Sequence, residues 1–164
     1  MSDPVTDPVR LAKCVADLAR CSRLEAEQLI KGGWVSVDGR VLRDVVDFQF
    51  YATGHEVQVA IKKANGLDDL ILFEKEIDED LGIEFERATW DDVILCNNNC
   101  FFCFLKGLPK GMRKTLYTKD DDYRLSFLHG NFVTLTNLTG ADWERLDEQR
   151  LSPLNVSVHA TELG

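Results

Sequence analysis

Three cysteines crowd into eight residues of this chain, in the string CNNNCFFC, and no other feature restricts the fold so strongly. Cys96, Cys100 and Cys103 sit too close together for a disulfide framework, and the total of five cysteines is odd. A metal site suits such a loop better. The preceding DDVILC reads as a buried strand ending at the first cysteine. The loop would then follow the C-terminal end of a strand, where α/β folds build their active sites. The spacing Cys-x-x-x-Cys-x-x-Cys lets one loop wrap around a single iron–sulfur cubane and give three thiolates to three irons. The fourth iron is left open to bind a ligand directly. Three alternatives stand beside this reading: a zinc site closed by His129 or His159, an electron-transfer cluster, and a chance spacing. Zinc usually takes four protein ligands in two pairs, and an electron-transfer cluster wants a fourth cysteine.

The 164 residues are 45% hydrophobic, enough for a real core in one domain or two small ones. A net charge of -9 argues against coating nucleic acid or anionic membrane through bulk positive charge. No apolar run approaches the roughly 20 residues that span a bilayer. MSDPVTDPVR also lacks a secretory layout, so a cytoplasmic protein with no membrane partner is expected. Cys14 and Cys21 lie in and beside an aliphatic helical stretch and read as buried, reduced thiols.

Along the chain, Asp7-Pro8 opens a helix over VRLAKCVADLAR, and Ser22 with Glu25 forms a capping box for a second helix that stops at Gly32-Gly33. WVSVDGRVL predicts a hairpin turning at Asp38-Gly39, and HEVQVAIKK a further strand. A soft domain boundary falls in the turn at residues 62–66, giving domains 1–63 and 66–164. Past the acidic EKEIDED, KGLPKGMRKTLYTKDDDYRLSF reads as loop, NFVTLTNL as strand, GADWERLDEQRL as helix and LNVSVHA as strand. Strand, helix, strand predicts parallel pairing.

The cysteine spacing, with Phe102 just before the third cysteine, resembles the signature of radical S-adenosylmethionine enzymes. The resemblance implies that Cys96, Cys100 and Cys103 ligate a [4Fe-4S] cluster whose open iron binds S-adenosylmethionine, and that Phe102 flanks the cofactor. It further implies an electron donor such as a ferredoxin or flavodoxin. Gly130 and Asn131 stand where that superfamily often contacts the cofactor amino group, although the usual Gly-Gly-Glu is absent. Residues 74–161 are similar to an uncharacterised family that joins a PDZ-like domain to a radical S-adenosylmethionine domain; the strings LPKGMRKTLY and LSPLNVSVHAT carry that likeness. Around the loop, Lys110, Arg113 and Lys114 could meet an anionic group, and Asp120, Asp121 and Asp122 with Arg124 could form a network or an ion pair. Ser157 and His159 would share one face of a strand.

Residues 9–59 resemble a small RNA-binding module of ribosomal-protein type, which implies phosphate contacts from Arg10, Lys13, Arg23 and Lys31. VDGRVLRDVVDFQFY also resembles the end of a PDZ-like domain, which implies peptide capture instead. The expected fold class is therefore α/β: a small N-terminal α+β domain, then the first strands and helices of an incomplete radical S-adenosylmethionine (β/α) barrel. Only 61 residues follow Cys103, against about 250 for a full barrel, so a truncated form or a partner chain that completes the barrel is expected. The competing function is a non-catalytic RNA- or partner-binding module with a structural iron–sulfur or zinc site.

Overall fold

The computed structural model describes residues 9–62, 68–77, 79, 81, 83–85 and 87–158. The chain divides into two compact units between Asp91 and Asp92. In the first unit two helices, α1 (Leu11–Ala19) and α2 (Arg23–Lys31), pack together. Ser22 caps α2: its hydroxyl accepts from Glu25 N, and the Glu25 carboxylate accepts from Ser22 N at 2.8 Å. Those bonds hold the Glu25 carboxyl below its ordinary pKa. Gly33, at φ +74°, lets the chain leave the helix in a left-handed turn closed to L side chains without strain. Strands β2 (Val35–Val37) and β3 (Arg40–Val41) then form the expected hairpin. Its central residues Asp38 and Gly39 have φ of 48° and 76°, the pair of positive angles that matches strand twist.

Helix α3 (Val45–Tyr51) was not foreseen in VVDFQFY; Asp44 starts it by accepting from Asp47 N at 3.1 Å. Strands β4 (Glu56–Lys62) and β5 (Asp68–Glu74) complete an antiparallel sheet of order β3-β2-β4-β5. Val35, Val37, Val57, Val59 and Ile61 alternate onto one face and bury against Val15, Ala26, Ile30, Leu42 and Phe48. Burial of such side chains stabilises by about 1.5–3 kcal/mol each. A short parallel pair, β1 (Val9–Arg10) with β6 (Ile83–Glu84), lies in the same unit.

The boundary expected at residues 62–66 is corrected here. β4 and β5 pair along their whole length, from Glu56↔Glu74 to Lys62↔Asp68, so residues on both sides of that turn share one sheet and the units divide at Asp91 instead. The turn at 63–67 and the Asp7-Pro8 pair lie outside the described residues.

In the second unit, the strand expected at DDVILC is reduced to a bridge between Leu95 and Asp120, and Leu95 is 56% exposed. Two backbone bonds hold it, Cys96 N to Lys119 O at 2.7 Å and Asp121 N to Ile94 O at 2.9 Å. Pairing stops there because the partner segment turns directly into α4 (Tyr123–His129), a helix within the stretch read as loop, capped by Asp122. Strand β7 (Phe132–Val133) is short, ending before Leu135 at φ 57°. It pairs in parallel with β8 (Asn155–Val156) across α5 (Gly140–Gln149), as the strand-helix-strand pattern predicts. The chain is a mixed α/β protein of small sheets and helices, with no closed barrel among the described residues.

Candidate active site

The three clustered cysteines, all free and half-buried, line one cavity of about 500 Å³ in the second unit. Their loop is tied down on both flanks. Lys106 Nζ donates to Asn99 Oδ1 at 2.9 Å and to the Cys100 carbonyl at 2.8 Å, and Lys119 Nζ donates to the Asn98 carbonyl at 2.5 Å. Phe102 lines the same cavity, half exposed, edge-on to Phe101 with ring centroids 4.9 Å apart.

The cavity is also lined by polar groups of Lys119, Asp120, Asp121, Asn131, Thr134 and Ser157 and by the apolar side chains of Phe104, Leu105 and Phe132. The run of three aspartates divides its work. Asp120 accepts from Asn131 Nδ2 at 2.8 Å, and Asp121 accepts from Thr134 N at 2.5 Å and Thr134 Oγ1 at 2.6 Å. Asp122 forms a buried ion pair with Arg124 at 2.7 Å, and Arg124 also donates to the Asp92 carbonyl at 3.1 Å. Burying a charged pair is tolerable only with such partners, because an unpaired buried ion costs several kcal/mol, on the order of 3–5.

Next along the chain Tyr123, almost wholly buried, donates to Asp142 Oδ1 at 3.3 Å and accepts from Arg145 at 3.3 Å. Burial raises the Tyr123 pKa, with the Asp142 charge adding to it, so the phenol stays protonated. Burial also acts to raise the Asp142 carboxyl. Bonds from the Thr139 hydroxyl and backbone, from Tyr123, and the Arg124 charge outweigh it and hold that carboxyl low.

Among the described residues no group of three or more His, Cys, Asp or Glu converges on one metal ion. Mononuclear zinc needs its sulfurs about 2.3 Å from a shared centre. A cubane instead spreads its three thiolates over three irons, so three free thiols around one roomy cavity fit a cluster in donor chemistry. His129 is exposed and off the cavity, and His159 lies outside the described residues.

Asn131 lines the cavity, whereas Gly130 does not: at φ +77° it is the left-handed C-cap of α4. Lys110, Arg113 and Lys114 are exposed and off the cavity; the cations at the loop are Lys106 and Lys119. In the first unit Lys13 and Lys31 are exposed, and the side chains of Arg10, Arg23 and Cys14 lie outside the described residues. Cys21 packs half-buried against the core. Lys119 and Thr134 were missed; the one signal for Lys119 was its place directly before the aspartate run.

A loop thus presents three free thiols to one cavity of a mixed α/β unit, a donor set that suits a cluster. Residues 75–163, more than half of the chain, match the family described as the radical SAM-like domain, and the chain belongs to that family. No curated protein and no solved structure matches the chain.

Proposed function

We propose that this chain is a radical S-adenosylmethionine protein in which Cys96, Cys100 and Cys103 hold a [4Fe-4S] cluster. The observation that carries the reading is that these three free thiols line one cavity, inside the stretch that matches the family. When bound, such a cluster supplies the electron that cleaves S-adenosylmethionine to a 5'-deoxyadenosyl radical. Phe102 offers a ring face beside the cysteines, and Asn131 offers its carboxamide to the amino acid part of the cofactor. Gly130 sets the direction in which the chain leaves α4 toward Asn131. The chemistry requires a low-potential electron donor, a ferredoxin or flavodoxin, and a reducing compartment such as the cytoplasm. Strand β8 offers an edge that a partner chain would extend. The test is anaerobic incubation of the reduced protein with S-adenosylmethionine. Formation of 5'-deoxyadenosine, lost in Cys100→Ala, is expected; none from a fully loaded protein would leave the cluster as a structural clip.

A second reading concerns the first unit, where a helix, a capped helix and a hairpin follow one another with Lys13 and Lys31 exposed. We infer modest, steeply salt-dependent RNA binding through these lysines with Arg10 and Arg23. Arg23→Glu with Lys31→Glu is expected to weaken RNA retention in a low-salt shift assay while iron loading is unchanged. Equal retention would favour the PDZ-like alternative, with peptide added at the β5 edge.

A further inference from the structure

We propose that Asn98, tethered through Thr136 and Thr134 to the buried carboxylate of Asp121, is a positioning residue that holds the cysteine loop in shape before iron arrives. This rests on the cluster reading above. Asn98 lies between Cys96 and Cys100 and lines the same cavity, and its carboxamide donates into a hydrogen-bonded chain. Asn98 Nδ2 donates to Thr136 Oγ1 at 2.7 Å and to Thr134 Oγ1 at 3.2 Å. Thr134 Oγ1 lies 2.8 Å from Thr136 Oγ1 and 2.6 Å from Asp121 Oδ2.

The carboxylate fixes the direction of the chain. It has only acceptors to offer, so the single hydroxyl hydrogen of Thr134 goes to Asp121 and that of Thr136 goes to Thr134. The lone pairs that remain on both hydroxyls are filled by the carboxamide of Asn98, the one side chain of that length with two donors. Bonds aligned in this way polarise one another. The anchor is firm: Asp121 is 1% exposed, also accepts from Thr134 N, and donates its own N–H to the Ile94 carbonyl.

Backbone contacts reinforce the same geometry. Lys119 donates to the Asn98 carbonyl through its ammonium and accepts from Cys96 N through its own carbonyl, so two residues of the loop are tied to one. Lys106 bridges Asn99 and Cys100 on the other flank. The asparagines thus have distinct uses: Asn98 tethers, Asn99 receives Lys106, and Asn97 is exposed. A loop ordered in advance does not have to be ordered by the cluster, which favours loading and retention.

Thr136 is the place to test this, because it does not line the cavity and can act on the cysteines only through its neighbours. Amide hydrogen exchange is followed in the iron-free full chain over residues 94–104, with β4 as an internal control for folding. Asn98→Ala and Thr136→Val are expected to exchange at least about fivefold faster over that segment, the effect of losing one hydrogen bond or more. Thr136→Ser, which keeps the hydroxyl, is expected to match wild type. After reconstitution, the same two variants are expected to release iron to a chelator faster by a similar factor, with Thr136→Ser again unchanged. Wild-type exchange in both Asn98→Ala and Thr136→Val, or Thr136→Ser as disruptive as Thr136→Val, would overturn the tether. Iron uptake by wild type is read separately: its failure removes the cluster reading itself, whereas lost exchange contrast in a chain that loads iron overturns the tether alone.

Discussion

The two units bury opposite kinds of side chain. The first is built as an ordinary apolar core, with Val35, Val37, Val57, Val59 and Ile61 of one sheet face packed on Val15, Ala26, Ile30 and Phe48. In the second, the buried residues among those described are mostly polar or charged: Asp121, Asp122, Arg124, Ser126, Arg145 and Gln149 outnumber Tyr123 and Val133. Hydrophobic burial is non-directional and tolerates repacking, whereas a polar interior is satisfied only at fixed distances and angles. The first unit is thus held by apolar packing, and the second is suited to hold groups of a site at set positions.

The sharpest way to break this contrast is to remove one partner of the buried pair. Arg124→Ala leaves Asp122 buried without its cation and is expected to cost about 4 kcal/mol, read as faster amide exchange across α4. A loss below about 1 kcal/mol, no more than an exposed pair is worth, would mean that the polar interior is not what holds this unit. In the first unit Ile61→Ala removes a fully buried side chain and should cost about 3 kcal/mol, read in urea unfolding.

A smaller effect separates the capping boxes. Thr139→Ala is expected to cost about 1 kcal/mol at pH 7, where Asp142 is ionised and capped. Because folding lowers the Asp142 pKa, its contribution is present above the unfolded value of about 3.9 and is lost as pH falls through the folded value. The gap between wild type and Thr139→Ala should therefore narrow in thermal melts on acidification below about pH 4, to what the bond from Asp142 N to the Thr139 hydroxyl supplies; a gap that does not change there would remove the charge from the account. The least effect is expected at Leu70, exposed on β5, where Leu70→Thr should stay within about 0.5 kcal/mol.

What could be read from the sequence divides along the same line. The Ser22–Glu25 box, the Asp38-Gly39 hairpin and the α5 helix are local, fixed by residues within a few positions of one another. The short helices α3 and α4 escaped because seven residues carry too little periodicity; their caps, Asp44 and Asp122, were the available signals. The β4–β5 pairing escaped because a turn looked like a boundary. At the site, the cysteines were legible because their spacing is covalent. Of the other lining residues, Asp120, Asp121, Asn131 and Ser157 stand out in the sequence, whereas Lys119 and Thr134 do not, since they meet the loop only after folding, and Asn98 reaches Thr136 across 38 positions of sequence.

The central claim is that Cys96, Cys100 and Cys103 together ligate an open-iron cluster. Anaerobic reconstitution with iron and sulfide, with iron counted per chain in wild type and Cys100→Ala, tests it most directly. About four irons in wild type, lost in the variant, with a spectral change on adding S-adenosylmethionine, is the predicted result. Zinc or no metal in wild type, or equal iron in both chains, would contradict it.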